Sequence, residues 1–240
     1  MKKESSDNMF EFSDIISHRG IHDNQTIYEN TLEAFKKAID KGYSIEMDIR
    51  LTKDNKLVVF HDQNTKRITG IDKIVEKSTY QELNQQNTIH IPLLEEVLDL
   101  VDGQVSLLIE IKQPNKVGKL ESNLMTLLTN YSGKYAIQSF NPQVLYWFKK
   151  NYPHILRGQL SSHLKNKNIP LYQKFILKNM LLNPIIKPHF ISYKYNELPI
   201  NKIKYYQKKN IKVLGWTITN KEDYQKYKDI YNNLICEKFL

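Results

Sequence analysis

The 240-residue chain has a single cysteine, Cys236, and no long apolar run. One cysteine excludes an internal disulfide and is typical of a reducing compartment. No stretch approaches the roughly 20 apolar residues that a membrane-spanning helix needs. Residues 1–12 also lack the apolar region of a secretory signal. We therefore expect a cytoplasmic protein without stable membrane insertion, of the size of one α/β barrel.

Arginine is scarce too, although the formal net charge is +9. The lysines are spread through the second half of the chain among Asn, Tyr and Ile, without the arginine-rich block or aromatic–glycine motif of nucleic-acid-binding proteins. We interpret them as a solvated surface and expect no nucleic-acid partner. The sequence leaves the oligomeric state open. The only arginines are Arg19, Arg50, Arg67 and Arg157.

Short apolar runs alternate with amphipathic stretches almost to the end of the chain. Such alternation predicts βαβ units and a parallel sheet. Predicted helices include Thr31–Lys41, Leu93–Val101 and one that Asn141-Pro142 opens. The predicted strands are Ile15–His18, Ser44–Arg50, Leu57–Asp62, Val105–Lys112, Tyr135–Phe140, Ile155–Leu160, Phe190–Tyr195, Lys212–Ile218 and Leu234–Glu237.

One of these nine strands cannot belong to an eightfold barrel. Only residues 51–56 separate the second strand from the third, whereas parallel neighbours need a crossover of about a dozen residues or more. Leu57–Asp62 is therefore predicted as the return arm of an antiparallel hairpin. The polar stretch Gln63–Ile91 is predicted as an insertion over the barrel mouth. The fold class is then α/β, a (β/α)8 TIM barrel with an insertion after the second strand, in one domain spanning 1–240 with hairpin and insertion over about 51–91.

Charged groups lie within or directly after four successive apolar runs. A buried carboxylate or imidazole is costly to desolvate, and a metal or a reacting group is its usual partner. In a barrel such groups meet at the carboxyl ends of the strands. We therefore predict an active site at that edge, formed by His18, Arg19, Glu46, Asp48, His61, Glu110 and Lys112.

Three of these groups are carboxylates suited to a hard divalent cation. Glu46 and Asp48 are two residues apart on one strand, so both side chains share a face, and Glu110 joins them from the next barrel strand. No cysteine belongs to this set and no histidine pair stands at metal spacing, so the three carboxylates favour Mg²⁺ or Ca²⁺ over zinc. The alternative is that one carboxylate forms a structural ion pair with Arg50 or Lys112.

His18 and His61 supply imidazoles that titrate near neutral pH and suit general acid–base chemistry. Arg19 and Lys112 add fixed positive charge for a phosphate. Together with a metal, these groups predict phosphodiester cleavage. The sequence leaves open which histidine is the base. It also leaves open whether water attacks directly or after a cyclic phosphate forms.

The sequence resembles the glycerophosphodiester phosphodiesterase family along most of its length. The resemblance is collinear and runs from Ile15 to the end of the chain. Its motifs are Ser17-His18-Arg19-Gly20, Glu29-Asn30-Thr31 with Ala34-Phe35, Glu46-Met47-Asp48, Thr52-Lys53-Asp54, Val58-Val59-Phe60-His61-Asp62, Arg67-Ile68-Thr69-Gly70, Pro92-Leu93-Leu94-Glu95-Glu96-Val97-Leu98, Glu110-Ile111-Lys112, Gln138-Ser139-Phe140 and Gly215-Trp216-Thr217.

The resemblance implies a barrel enzyme that hydrolyses glycerophosphodiesters, small molecules, to sn-glycerol 3-phosphate and an alcohol. It implies that Trp216 lines the substrate pocket, although an ordinary core tryptophan remains the alternative. The other implied roles are metal ligands for Glu46, Asp48 and Glu110, catalytic histidines for His18 and His61, and phosphate contacts for Arg19 and Lys112.

The chain departs from the family pattern at two positions. Tyr28 stands where the family usually has proline, and Cys236-Glu237 stands where it commonly has Thr-Asp. We expect Glu237 to lie at the barrel mouth and to alter the pocket wall. Neither departure is expected to touch the core of the site.

Two other functions remain open. A phospholipase D-like enzyme acting on lysophospholipids would need an apolar mouth at a membrane. The apolar stretch 172–182 with Lys174 and Lys178 is either a barrel helix, which we favour, or an interfacial anchor. A non-catalytic binding barrel is disfavoured because the metal and histidine positions are all present.

Overall fold

The computed structural model describes residues 12–85, 88–112, 116–165 and 169–240. The strands of these residues are β1 (Ile15–His18), β2 (Ser44–Leu51), β3 (Leu57–Val59), β4 (Leu107–Ile111), β5 (Tyr135–Ser139), β6 (Arg157–Ser161), β7 (Phe190–Lys194), β8 (Lys212–Ile218) and β9 (Asn233–Cys236). Their helices are α1 (Leu32–Asp40), α2 (Lys66–Thr69), α3 (Tyr80–Asn84), α4 (Leu94–Val101), α5 (Lys119–Leu128), α6 (Pro142–Asn151), α7 (Leu171–Lys178), α8 (Asn183–Ile186), α9 (Ile200–Lys208) and α10 (Lys221–Tyr227), with a 3₁₀ turn at Val75–Lys77.

Eight of the strands close into a parallel barrel. The strand order is β1-β9-β8-β7-β6-β5-β4-β2, and pairing of β1 with β2 closes the ring. The remaining strand, β3, lies outside this ring and pairs antiparallel with β2. The predicted barrel, its hairpin and its insertion after the second strand are therefore confirmed.

The hairpin arm is shorter than predicted. Strand β3 ends at Val59, so the predicted strand Leu57–Asp62 is too long and His61 lies in the loop that follows. Phe60 N–H still donates to the Asp48 carbonyl at 2.8 Å, and the next carbonyl, that of His61, accepts from the Arg50 guanidinium instead of a strand, through Nε at 2.9 Å and Nη2 at 2.7 Å. The other strands match their predicted runs with ends shifted by up to two residues.

Alternation along β2 separates the core from the site. Ile45, Met47 and Ile49 are fully buried in the layer between the sheet and its helices, where they pack with residues such as Phe35 of α1. Because successive strand residues point to opposite faces, Glu46 and Asp48 face the barrel interior. The predicted common face of these two carboxylates is confirmed by this packing.

A smaller apolar cluster fills the barrel interior below the site. It contains Ile16, Leu108, Ala136, Phe190, Leu214 and Ile235. Phe190 fits there because its partner on β6 is Gly158. A Cβ atom at position 158 would lie 2.0 Å from Phe190 Cε2, which is closer than any real contact.

The insertion has an apolar cluster of its own. Short helices α2 and α3 and the 3₁₀ turn enclose side chains that are nearly or fully removed from solvent. These side chains are Val58, Phe60, Ile68, Val75, Leu83 and Ile91. The cluster holds the insertion against the hairpin, which is how residues outside the barrel reach its mouth. The division of the chain into one domain spanning 1–240 stays a prediction.

The helices of the described ranges include none that is long and apolar enough to cross a membrane.

Substituting Gly158 tests how tightly the barrel interior is packed. Gly158→Ala forces the added methyl group into the Phe190 ring, so we expect the free energy of unfolding to fall by about 1–3 kcal/mol. Urea unfolding followed by circular dichroism measures this change. The double variant Gly158→Ala/Phe190→Leu is the matched control: it should lose less stability than the two single variants summed. Strict additivity would contradict the account.

Candidate active site

Strand register brings the predicted site residues side by side. His18, the last residue of β1, is the Cα partner of Glu46 on β2. Two residues further along β2, Asp48 is the partner of Glu110 on β4. Because β1, β2 and β4 are parallel neighbours, their side chains meet at one edge of the barrel. Residues that are far apart in the sequence are therefore adjacent in the structure.

Glu46, Asp48 and Glu110 form a buried acidic cluster. One ligand oxygen of each lies within 4.8 Å of the others. All three residues are at most 6% exposed. Oxygen-only donors at this spacing fit Mg²⁺ or Ca²⁺. Asp48 Oδ1 is buried and accepts no hydrogen bond from the residues that the structure describes.

Two buried cations adjoin this cluster. Lys112 Nζ lies 2.5 Å from Glu110 Oε1 and 3.1 Å from Asp48 Oδ1. On the other side, Arg19 Nε lies 3.2 Å from Asp48 Oδ2. Lys112 therefore forms the ion pairs that the structural alternative names, while the metal-ligand role of the carboxylates stays a prediction. The alternative is wrong for Arg50, which contacts the His61 carbonyl and, at 2.6 Å, Glu76.

The neighbouring charges drive the pKa values of two carboxyls apart. Burial raises the pKa of Glu46 well above its usual range, and the charges of Asp48 and Glu110 raise it further. Burial also acts on Asp48, but Lys112 and Arg19 outweigh it and lower the pKa of that carboxyl. Asp48 is therefore the anion that holds both cations, whereas Glu46 is the carboxylate with the least compensation.

A sharp turn after β1 aims Arg19 at the cluster. Arg19 and Gly20 have φ values of 57° and 80°, in the left-handed region. Gly20 is required because a Cβ atom there would lie 2.8 Å from the Ala34 backbone. In this conformation the Arg19 backbone N–H donates to the Glu46 carbonyl oxygen at 2.9 Å and also contacts its carboxylate.

Glu29 and Asn30 contact the site residues, although no role was predicted for them from the sequence. Asn30 Nδ2 donates to Asp48 Oδ2 at 2.9 Å, and the Asp48 N–H donates back to Asn30 Oδ1. Glu29 accepts from Arg19 at 2.7 Å. Both side chains are buried just before helix α1, and this burial could not be predicted from the sequence alone.

Glu237 contacts His18, contrary to the expectation that this position leaves the core of the site untouched. Its Oε2 lies 2.7 Å from His18 Nδ1 across 219 residues of sequence. The reason is topological, because β9 pairs with β1 and its carboxyl end lies beside His18. Burial and Arg19 lower the pKa of His18 even though Glu237 opposes them.

His61 is held in a similar way from outside the barrel. Its Nδ1 lies 2.5 Å from Asp62 Oδ1, and Asp62 Oδ2 accepts from Arg67 at 2.6 Å. Arg67 also donates to both oxygens of Glu29. A continuous chain of charged contacts therefore runs from His61 through Asp62, Arg67 and Glu29 to Arg19.

These groups surround a cavity of about 560 Å³. Of the predicted residues, His18, Arg19, Glu46, His61, Glu110, Lys112 and Trp216 line it, and Asp48 lies beneath them. Trp216 packs edge-on against Phe140, 5.8 Å between ring centroids, and also joins the interior apolar cluster. Trp216 is thus half-buried between the interior cluster and the cavity, and its role toward substrate stays a prediction.

Comparison with known proteins identifies the family. Residues 18–236 match the sequence model of the glycerophosphoryl diester phosphodiesterase family. The chain belongs to this family. That membership confirms the predicted family and, with it, the predicted class of enzyme, a glycerophosphodiester phosphodiesterase.

Three relatives illustrate the match. The chain is similar to a glycerophosphodiester phosphodiesterase of Bacillus altitudinis, 34% identical over 59% of this chain and 63% of the relative. It is similar to another of Caldanaerobacter subterraneus, 28% identical over 88% of both chains. A phosphodiesterase of Oleispira antarctica, solved in complex with the product sn-glycerol-3-phosphate, shares the fold at 20% identity, a TM-score of 0.78, and coverage of 94% of this chain and 93% of that one.

Two isosteric substitutions should affect the metal-free protein in opposite ways. Asp48→Asn weakens the main partner of Arg19 and Lys112, and we expect the free energy of unfolding to fall by about 3 kcal/mol. Glu46→Gln removes a repulsive neighbour, so that energy should stay unchanged or rise by up to about 1 kcal/mol. Urea unfolding in EDTA at neutral pH measures both.

The pH dependence supplies a further check on Glu46. With a raised pKa, the folded protein retains a proton that the unfolded protein has released. Stability of the metal-free wild type therefore falls as pH rises above the ordinary glutamate pKa, and Glu46→Gln should remove this fall. Equal losses of stability in the two variants, or an unchanged pH dependence in Glu46→Gln, would contradict the charge assignment.

Proposed function

We propose that the cavity hydrolyses glycerophosphodiesters to sn-glycerol 3-phosphate and an alcohol with the help of a bound divalent cation. The observation that carries this proposal is the convergence of three carboxylates, two carboxylate-held histidines and two buried cations on one cavity. The product bound in the Oleispira relative, which shares the fold, supports sn-glycerol 3-phosphate as the product that carries the phosphate.

Glu46, Asp48 and Glu110 would hold the cation, which we propose to be Mg²⁺ or Ca²⁺. The fit rests on their oxygen donors, their mutual spacing within 4.8 Å and the buried Asp48 Oδ1, which accepts no hydrogen bond from the described residues. When bound, such a cation supplies Lewis-acid stabilisation of charge on a phosphate oxygen.

Arg19 and Lys112 are proposed to contact the phosphate. Both line the cavity, and both are buried enough that their charge is only weakly screened. Their present ion pairs with Asp48, Glu29 and Glu110 fix their positions before substrate arrives, so little reorganisation accompanies binding. A planar guanidinium suits two phosphate oxygens, and the ammonium acts as a point charge.

His18 and His61 are proposed to share the proton transfers. Each imidazole engages a carboxylate through Nδ1, from Glu237 and Asp62 respectively, so each keeps Nε2 for the substrate. One abstracts the proton of the attacking hydroxyl or water, and the other protonates the departing alkoxide. They belong to different layers, His18 to the barrel strand β1 and His61 to the hairpin, and we propose that they approach the phosphate from opposite sides.

Trp216 is proposed to form the wall for the carbon skeleton of the substrate. Its ring and that of Phe140 make an apolar surface beside the charged row. Trp216 Nε1 is buried and donates to no residue of the described chain, which leaves an N–H for a substrate oxygen.

A reducing, cytoplasmic location completes the proposal. It rests on the composition, in which Cys236 is the single cysteine, and on the burial of that thiol in β9.

Histidine substitution tests the proposed chemistry. His18→Ala and His61→Ala should each lower kcat for a soluble glycerophosphodiester by at least about 100-fold, because each removes one proton-transfer group. Turnover is measured with Mg²⁺ or Ca²⁺ present, and EDTA should abolish it. His90→Ala is the control, since His90 is an exposed residue of the insertion that pairs with Glu96. Near-normal turnover in either active-site variant would contradict the proposal.

Glu237→Gln distinguishes positioning from chemistry. It keeps the shape and can still accept a hydrogen bond from His18, but it removes the negative charge that faces His18 Nδ1. We expect a fall in kcat of roughly 10-fold with an unchanged KM, and a displaced acid limb in the pH–rate profile. Glu237→Ala should lower kcat further. A fall in stability with no change in kcat would make Glu237 a purely structural residue.

A further inference from the structure

The net positive charge of this chain arises from one segment. Residues 122–196 contain ten Lys and Arg residues and no Asp or Glu. The rest of the chain has 25 cationic and 26 acidic side chains, so the whole excess of the +9 net charge lies in this segment. The lysines are therefore not an evenly solvated surface. The described residues of the segment include strands β5, β6 and β7 and helices α6, α7 and α8.

Helix α7 in this sector exposes an apolar face. It has no buried residue, whereas α6 buries Val144, Leu145 and Phe148. Leu171 is 82% exposed and Phe175, one turn later on the same face, 62%. An outer barrel helix normally buries its apolar stripe against the sheet. The predicted barrel helix is present, but its Leu171, Tyr172 and Phe175 side chains are exposed to solvent.

The apolar face continues beyond α7 and carries lysines along it. Leu181 and Ile185 are about half exposed, at 50% and 54%. Lys178 is exposed one turn after Phe175. Lys149 of α6 donates to the Ile185 carbonyl and lies 5.9 Å from the ring of the exposed Tyr146. We call the surface formed by Tyr146, Leu171, Tyr172, Phe175, Leu181 and Ile185, with Lys149, Lys174 and Lys178, the α7 face.

The α7 face adjoins the barrel mouth. Leu164 and Lys165 follow β6 and line the catalytic cavity, and α7 is the next helix along the chain. Lys194, at the carboxyl end of β7, lines the same cavity. The basic segment therefore reaches from the barrel mouth to the outer surface. A partner that contacts α7 would then also lie beside the cavity entrance.

We propose that the α7 face docks on an anionic membrane surface. Aromatic and aliphatic side chains flanked by lysines are the composition of helices that lie in the lipid interface, where apolar groups enter the acyl boundary and lysines contact anionic headgroups. Lysine stems also cover apolar surface while their ammonium groups stay at the phosphate level.

Charge decides between this occupant and two others. A second copy of the chain, packed through the α7 face on a twofold axis, would bring Lys149, Lys174 and Lys178 close to the same three lysines, and the residues that define this face include no carboxylate. A nucleic acid is matched by the charge but not by the exposed Leu and Ile side chains, and Arg157, the one arginine of the segment, is buried. An anionic lipid surface satisfies both the charge and the apolar area.

Vesicle sedimentation tests the proposal, and it contains no substrate, so its outcome is independent of the proposed hydrolysis. Full-length protein should pellet with phosphatidylcholine vesicles that contain phosphatidylglycerol, much less with phosphatidylcholine alone, and less at high salt. Lys174→Gln/Lys178→Gln should lower the partition coefficient by about fivefold for each lysine. Leu171→Ser/Phe175→Ser should lower it roughly tenfold or more.

Lys37→Gln/Lys41→Gln is the matched control. It removes the same charge at the end of α1, between β1 and β2, on the opposite side of the barrel from α7. Its binding should equal that of the wild type. Circular dichroism and turnover of a soluble glycerophosphodiester establish that all three variants are folded, since none of these residues lines the cavity.

Three results would overturn the proposal. In the first, the wild type leaves anionic vesicles unbound, or both α7 variants bind as the wild type does. In the second, the protein binds a single-stranded oligonucleotide more tightly than vesicles, and the α7 variants weaken that binding. In the third, the wild type sediments as a dimer that Leu171→Ser/Phe175→Ser converts to a monomer.

Discussion

The contacts of one buried carboxylate, Asp48, determine the rest of the site. It lies 1% exposed at the inner face of β2, where an uncompensated charge would be strongly destabilising. Arg19, Lys112 and Asn30 compensate it from three different elements, and its Oδ1 remains without a hydrogen bond. Asp48 in turn fixes the positions of Arg19 and Lys112, which both line the cavity. The contacts that compensate the buried charge of Asp48 thus also position the charged groups of the site.

From Asp48 the contacts extend to the insertion. Arg19 binds Glu29, Glu29 binds Arg67, and Arg67 binds Asp62, which in turn holds His61. Arg50, on the same face of β2, holds the His61 carbonyl directly. A histidine that is not on the barrel is therefore tied to it by two independent routes. These two routes explain how His61, which lies outside the barrel, is held in the wall of a cavity formed mainly by barrel residues.

The sequence predicted the barrel, the odd strand and the cluster for clear physical reasons. Connection length excludes a parallel pairing between β2 and β3, and a period of two places Glu46 and Asp48 on one face. Contacts between distant segments could not be predicted from the sequence. Nothing in the sequence shows that Glu237 meets His18, or that Arg50 turns from the cluster to His61, because these pairs depend on strand neighbours and side-chain reach. Glu29 and Asn30 were visible as a motif, but their partners were not.

The central claim is that Glu46, Asp48 and Glu110 form one divalent-cation site. Crystals of the full chain grown with Mn²⁺, a substitute for Mg²⁺ or Ca²⁺ that scatters anomalously, test it most directly. The account predicts one anomalous peak within coordination distance of all three carboxylates, with Lys112 displaced from Asp48 Oδ1. A site without a peak, or a peak that contacts other residues while Lys112 keeps its present ion pairs, would contradict it.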